Sequence, residues 1–245
     1  MHFTRFWSIV EAHHDIQNPS SPTKLDHLID LAELHAHHHV LDIGSGRGWL
    51  LNRIATRTGA QGTGIEINPW FCQTAQQHAH AAGNAERITI IESDATTVTF
   101  APHSFDAVFC IGATFALGGL INTINFARNV AKKDAPIIIG DIFRYATELP
   151  PTLVDYGFVP SLAELVDIVR GNNEPHEMMV STLEEWDHYE TKKWQSARTW
   201  LINNPDDPDH TNLSVAVAKM RHDYLHRERD AIGWAMIMTY NSADA

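Results

Sequence analysis

Between residues 40 and 142 the chain alternates short apolar runs with helix-length segments, and no other feature restricts its fold as tightly. Residues 40–43, 64–67, 87–91, 105–111 and 136–142 read as five strands, while 49–58, 69–82 and 120–132 carry helical spacing between them. Gly59 and Gly83 stand where helices commonly stop, because glycine enters the left-handed conformation there without a Cβ clash. Strands apolar along both faces and joined by helical crossovers predict an α/β fold, a parallel sheet with helices on both sides.

The flanks extend this pattern. Phe3, Phe6, Trp7 and Val10 fall on one helical face, and Ser21 with Pro22 reads as the capped start of a second helix bearing Leu25, Leu28, Ile29 and Ala32. Beyond the fifth strand, residues 162–169 read as a helix, and 178–182 and 233–240 as a sixth and a seventh strand. Between those two, a capping box of Ser181 and Glu184 is expected to open a helix carrying Trp186, Tyr189, Trp194, Ala197, Trp200 and Leu201. A further helix carries Leu213, Val217, Met220, Tyr224 and Leu225. The expected organisation is one domain: N-terminal helices over 1–36, a core over 37–182, a helical insertion over 183–230, and a last strand with its tail over 231–245.

Composition narrows the function classes. With 245 residues, 44% hydrophobic and 20% charged, the chain can bury an ordinary core and is not disordered. A formal net charge of −12 sets it against a nucleic-acid partner. Two cysteines, Cys72 and Cys110, are too few for a disulfide scaffold or cysteine-rich zinc ligation. No run reaches the roughly 20 apolar residues of a membrane span, and residues 1–16 resemble neither a signal nor a transit peptide, so a cytoplasmic location away from membranes is expected. Sixteen histidines are unusual: their full protonation carries the formal charge from −12 to +4, and solubility is expected to be poorest near the sequence pI of about 5.7. His35, His37 and His39 alternate, but no carboxylate or cysteine accompanies them, and no metal site is expected there.

Directly after the first strand comes Asp42-Ile43-Gly44-Ser45-Gly46-Arg47-Gly48, a turn whose glycines let the backbone approach a ligand. A dinucleotide-binding turn needs its third glycine at position 49, which is Trp49, and a carboxylate at Asp42 is a poor neighbour for pyrophosphate. Asp42 suits instead a ligand bearing ammonium and sulfonium charges. The stretch resembles the first motif of the class I S-adenosylmethionine-dependent methyltransferases, and further landmarks of that family follow in order. Glu66 lies 22 residues after Gly44 at the end of the second strand, and the resemblance implies that it takes two ribose hydroxyls, with Ile67 and Asn68 beside it. Asp94, in Glu92-Ser93-Asp94-Ala95, matches the position where the family meets the adenine amino group. Cys110 and Ile111 match the strand end that passes under the adenine and the reacting methyl. The resemblance therefore implies S-adenosylmethionine as cofactor, held by Asp42, Gly44, Ser45, Gly46, Gly48, Glu66, Ile67, Asn68, Asp94, Ala95, Cys110 and Ile111. It also implies a Rossmann-like sheet of order 3-2-1-4-5-7-6 with the seventh strand antiparallel and the ligand at the strands' C-terminal ends. The insertion between strands six and seven, with the N-terminal helices, is expected to form a helical lid over the sheet edge. The run from Cys110 to Gly119, with Trp186-Asp187-His188-Tyr189-Glu190 and Gly233-Trp234-Ala235, is similar to a bacterial branch of the family.

Methyl transfer from a sulfonium is an in-line displacement with a neutral leaving group. The protein's tasks are alignment, exclusion of water and, for an acceptor that carries a proton, a general base. Asp141, His188 and Tyr189 are the candidate bases near the strand ends, each with a capping, packing or surface role as its alternative. Ile111-Gly112-Ala113-Thr114 stands where methyltransferases of DNA bases resemble one another in an Asp/Asn-Pro-Pro-aromatic run, which together with the acidic charge points to a small-molecule acceptor. The Trp and Tyr residues of the insertion either wall a flat or apolar substrate or hold the insertion to the sheet. Two other readings share these residues: the same fold and cofactor used for cyclopropanation or aminopropyl transfer, and a non-catalytic binding module, which intact Asp42, Glu66 and Asp94 disfavour.

Overall fold

The computed structural model describes residues 1–145 and 158–242. Its elements are α1 (Phe3–Val10), α2 (Pro22–Leu31), β1 (His39–Ile43), α3 (Trp49–Thr58), β2 (Gln61–Glu66), α4 (Pro69–Ala81), β3 (Ile88–Glu92), β4 (Ala107–Ile111), α5 (Leu120–Val130), β5 (Pro136–Arg144), α6 (Leu162–Arg170), β6 (Glu177–Val180), α7 (Leu183–Asn203), α8 (His210–Asp223) and β7 (Ile232–Tyr240). The strands form one sheet in the order β3-β2-β1-β4-β5-β7-β6. β1 to β5 are mutually parallel, and β7 lies antiparallel between β5 and β6, pairing Tyr240 with Pro136 and Ile232 with Arg144.

Both faces of the central strands are buried, and the side chains divide between them with a period of two. Leu41, Ile43, Val108, Cys110, Ile137, Ile139, Ala235 and Ile237 meet Leu120 and Ile124 of α5 and Leu165 and Val169 of α6. Val40, Phe109, Ile138, Met236 and Met238 meet Leu25 and Ile29 of α2 and Leu51 and Ile54 of α3. Each fully buried aliphatic side chain of this kind contributes about 1.5–3 kcal/mol. A separate cluster joins Ile9 and Val10 of α1 to Ala197 of α7 and Leu213 and Val217 of α8, with Trp7, Trp194 and Trp200 packed around it. The aromatic residues of the insertion therefore bind α7 and α8 to α1 as a helical cap.

Several boundaries differ from the sequence expectation for local physical reasons. β2 starts at Gln61, because Gln61-Gly62-Thr63 belongs to it without an apolar side chain. A Cβ at Gly62 would stand 2.8 Å from Leu51, and one at Gly64 would strike Ser45, so glycine is what lets α3 and the turn lie this close. Phe105 makes only a single bridge to Ala131 and leaves β4 to begin at Ala107. The capping box falls one residue later than Ser181 and Glu184. Ser181 N still donates to Trp234 O at the sheet edge, so Thr182 Oγ accepts from Glu185 N (3.1 Å) while the Glu185 carboxylate accepts from Thr182 N (2.7 Å). Ser21 precedes Pro22 at the start of α2 as expected, but its hydroxyl turns to Glu185 and does not cap the helix. Residues 146–157 of the expected core and 243–245 of the expected tail lie outside the described residues.

Candidate active site

A cleft of about 590 Å³ opens at the C-terminal ends of β1, β2 and β4. The turn after β1 forms its floor. Gly44 is left-handed (φ 71°), and a Cβ there would overlap the Cβ of Ala113, which arrives from the end of β4. Gly44 N and Ser45 N both donate to Ile65 O, at 2.9 and 3.0 Å, which stitches the turn to β2. Gly46 leaves room for the Gln17 side chain, whose Oε1 accepts from Arg47 N at 2.7 Å. Gly48 does not line the cleft, contrary to expectation: a Cβ there would stand 2.8 Å from that of Ala75, so it serves the close approach of α3 to α4.

Three carboxylates line the floor, each from a different strand end: Asp42, Glu66 and Asp94. Glu66 accepts from Gly46 N at Oε2 (2.9 Å) and from Asn68 N at Oε1 (2.8 Å), bonds that orient it while burial raises its pKa. Asp42 is 4% exposed, and among the described residues no donor meets its carboxylate. Burial, and then the like charge of Glu66, pushes its pKa up to about 7. A buried acid facing a cleft without a donor of its own is matched by a cationic group of a ligand. Asp94 is exposed, and two bonds from Thr96, at 2.7 and 2.8 Å, hold its carboxyl below the usual range. Asn68 caps α4 by accepting from Trp70 N (3.1 Å) and donates to Thr4 O (2.9 Å), which ties α1 to the site. Ile67, Asn68, Ala95 and Ile111 line the cleft with these acids. Cys110 does not: the strand period turns it into the fully buried core against α5, where burial pushes its thiol well up, and leaves the cleft to Ile111.

Helix α1, the loop after it and α7 close the other side through Phe3, Trp7, Glu11, Gln17 and Tyr189. Arg47 fastens this loop to the turn, its Nη1 donating to Ala12 O (2.8 Å) and His14 O (2.7 Å). Glu11 and His14 are each 2% exposed. Tyr189 Oη donates to Glu11 Oε1 at 2.8 Å, and Glu11 Oε2 lies 3.0 Å from His14 Nδ1. Burial raises the Glu11 pKa to about 7, against the lowering by Lys193 and the Tyr189 bond. Burial also lowers that of His14 to about 4. The sequence reading missed Glu11 and Gln17, which reach the cleft from outside every motif. Its one available signal was an acid and a histidine three residues apart at the end of an apolar helical face.

Of the three candidate bases, only Tyr189 lines the cleft. Asp141 lies within β5, not after it, and its carboxylate accepts from Thr114 Oγ (2.6 Å) and Ile142 N (2.7 Å) beside a second cavity of about 470 Å³. Those bonds anchor the short turn Thr114–Leu117 that carries Phe115 into the cleft mouth, while burial raises the Asp141 pKa. His188 is exposed, because neighbours on a helix point about 100° apart and α7 turns Tyr189 inward. His39 Nε2 lies 2.8 Å from Thr63 Oγ, and among the described residues no three His, Cys, Asp or Glu groups gather as a metal site.

Known proteins share this architecture. Residues 40–134 match the family described as "Methyltransferase domain". Over 247 aligned residues the chain is 29% identical to the uncharacterized protein YjhP of Escherichia coli, covering 96% of this chain and 98% of that one. The crystal structure of a SAM-dependent methyltransferase from Thiobacillus denitrificans in complex with S-adenosylhomocysteine is similar at a TM-score of 0.85 and 27% identity, covering 97% of this chain and 98% of that one. A second such complex, from Geobacter sulfurreducens, is similar at 0.86 and 28%, covering 96% of each chain. Likeness to the sterol methyltransferases is partial: 37% over 87 residues with Sterol methyltransferase-like 1 of Botryococcus braunii, spanning 36% of this chain and 22% of that protein. The match over residues 40–134, which contains the Gly44 turn, Glu66 and Asp94, gives the chain a methyltransferase domain, and over its whole length the chain is similar to S-adenosylmethionine-dependent methyltransferases crystallised with S-adenosylhomocysteine.

Proposed function

We propose that the chain transfers a methyl group from S-adenosylmethionine to a small-molecule acceptor by in-line displacement. In this reading it is one domain, with residues 1–36 and 183–230 capping a cofactor-binding core over 37–182 and residues 231–245 supplying the last strand and tail. The observation that supports it is the pair of floor carboxylates: Asp42 buried and, among the described residues, met by no donor, and Glu66 oriented by two backbone N–H groups. That set fits a ligand with a cation at one end and neighbouring hydroxyls further along. Asp42 with the Gly44–Gly46 turn would hold the amino-acid end, Glu66 with Ile67 and Asn68 the ribose, and Asp94 with Ala95 and Ile111 the adenine. Bound there, S-adenosylmethionine supplies an electrophilic methyl group on a positively charged sulfur.

The chain's own residues select the acceptor. Phe3, Trp7, Phe71 and Phe115 present apolar faces along the cleft. With Asp42, Glu66 and Asp94 given to the cofactor, the charged lining left to the acceptor is Glu11 and Asp15 against Arg47, whose guanidinium is taken by backbone carbonyls. A neutral or cationic acceptor with an apolar body fits this lining, and a phosphate- or carboxylate-bearing one does not. The same acidity disfavours nucleic acid. Among the described residues no helix is long and apolar enough to cross a membrane. Cys72 and Cys110 are both free thiols, which suits a reducing cytoplasm.

Incubation with methyl-tritiated S-adenosylmethionine and, separately, a deproteinised metabolite extract, bulk protein or nucleic acid tests this reading. Label is expected in the metabolite fraction and is expected to be lost with Glu66→Ala. Label confined to protein or nucleic acid would overturn the small-molecule assignment.

A further inference from the structure

Glu11, His14 and Tyr189 contact one another on the capped side of the cleft, apart from the residues proposed above to hold the cofactor, and Tyr189 Oη also lies 3.3 Å from Gln17 O. Tyr189 Oη donates to Glu11 Oε1 at 2.8 Å, and Glu11 Oε2 stands 3.0 Å from His14 Nδ1. His14 Nε2 is 2.9 Å from Tyr189 O, and a carbonyl only accepts, so the ring proton is assigned to Nε2 and Nδ1 presents a lone pair. Two acceptors, Oε2 and Nδ1, therefore face one another, and both are buried without a hydrogen bond among the described residues. A proton on the carboxyl satisfies the arrangement, and without it the buried carboxylate faces the Nδ1 lone pair and is a better base than an exposed one.

Of the charged groups around Glu11, Lys193 and Arg47 favour the ionised carboxylate and Glu190 opposes it, but each cation is engaged elsewhere. Lys193 Nζ is bound to Glu190 Oε1 at 2.7 Å and lies 4.1 Å over the Tyr189 ring. Arg47 donates to the carbonyls of Glu11, Ala12 and His14. Among the described residues, neither cation pairs with the Glu11 carboxylate. Glu11 and Tyr189 are both among the residues that line the cleft.

We propose that Glu11 is the general base for the methyl acceptor, acting through the Tyr189 hydroxyl, and that His14 is a positioning residue that keeps the carboxylate basic. The acceptor class follows: a neutral or cationic molecule with a proton to lose at the atom methylated, a hydroxyl, a thiol or a protonated amine. This rests on the methyltransferase reading above. The acceptor's X–H proton passes to the Tyr189 oxygen as the phenolic proton passes to Glu11 Oε1. The electron pair freed on X forms the bond to the methyl carbon, and the carbon–sulfur pair stays with sulfur, which leaves as a neutral thioether. Tyr189 ends unchanged, and Glu11 ends as a carboxylic acid that returns its proton to solvent.

The test reads the Glu11 proton directly, by pH-difference infrared spectroscopy of the full chain saturated with S-adenosylhomocysteine. Wild type is expected to show a carboxylic-acid band that disappears around neutral pH and is missing from Glu11→Gln. Tyr189→Phe, which removes a donor to the carboxylate, is expected to move that midpoint up. His14→Gln, whose amide donates where Nδ1 accepts, is expected to move it down. Calorimetric affinity for S-adenosylhomocysteine is expected to stay within about twofold in all three variants. In the labelled-extract assay Glu11→Gln is expected to lose about 100-fold in rate. The proposal is overturned if Glu11→Gln removes no titrating band, if neither of the other variants moves the midpoint, or if Glu11→Gln labels at the wild-type rate. Failure of wild type to bind S-adenosylhomocysteine is a separate result, which removes the methyltransferase reading and the proposal with it.

Discussion

Asp42 and Glu66 stand on adjacent parallel strands as two buried carboxylates of like charge, and Glu66 adds to burial in raising the Asp42 pKa to about 7. Asp42 is therefore largely protonated at pH 6 in the free protein. A cationic ligand selects its ionised form and expels the proton. S-adenosylmethionine is accordingly expected to release protons on binding at pH 6 and fewer at pH 8, with affinity tightening as pH rises toward 7 and levelling above it. Calorimetry in two buffers of different ionisation enthalpy measures this, and equal heats at pH 6 contradict it.

The same burial works against the empty fold. A folded pKa raised from 3.8 to about 7 gives stability that is present below the ordinary value and lost as pH rises through 7, at about 1.4 kcal/mol per unit. Asp42→Asn is expected to raise the melting temperature more at pH 8 than at pH 5, where only part of the window between 3.8 and about 7 has been crossed, and to abolish stabilisation by S-adenosylmethionine. Thermal melts at the two pH values, with and without ligand, check both.

Gly44 and Gly83 separate conformation from contact. Both are left-handed, at φ 71° and 72°, but a Cβ at Gly44 overlaps Ala113 whereas one at Gly83 meets nothing within 4 Å. Gly83→Ala is expected to cost about 1–2 kcal/mol, the conformational penalty alone, and to leave ligand binding intact. Gly44→Ala is expected to cost more and to weaken binding, because the turn has to move from Ala113. Denaturant midpoints and calorimetric affinities of the two variants give the comparison.

His14 shapes the acid side of the stability curve. Its pKa is lowered from 6.5 to about 4, so the unfolded chain binds a proton in that window that the folded chain refuses, and stability falls as pH drops from 6.5 through 4. His14→Gln is expected to flatten this limb of a melting-temperature profile between pH 4 and 6.5. His38 and His39 are also held below the ordinary histidine value by burial, so the charge swing expected from sixteen histidines completes at lower pH than the bare count suggests.

The floor of the site was legible in the sequence because it is local. Asp42, the glycine turn and Glu66 sit at the ends of apolar runs whose period of two marks the strands, and the sheet order followed from the resemblance those residues carry. The start of β2 was hidden because close packing against Leu51 and Ser45 demands glycines where an ordinary strand shows apolar side chains. Glu11 was not legible for a different reason. It reaches the cleft through Arg47 bonds to backbone carbonyls and a partner 178 residues away, Tyr189, contacts that leave no pattern in spacing. Asp141 looked like a base from its position beside a strand end, but its carboxylate is occupied by Thr114 and its own strand's backbone.

Calorimetric titration of wild type and Glu66→Ala with S-adenosylmethionine, S-adenosylhomocysteine and NAD tests the assignment most directly. Micromolar binding of both sulfur ligands and none of NAD is expected, with a loss of at least about 100-fold in Glu66→Ala, since two charge-assisted hydrogen bonds disappear. Binding of NAD, or of neither sulfur ligand, would contradict it.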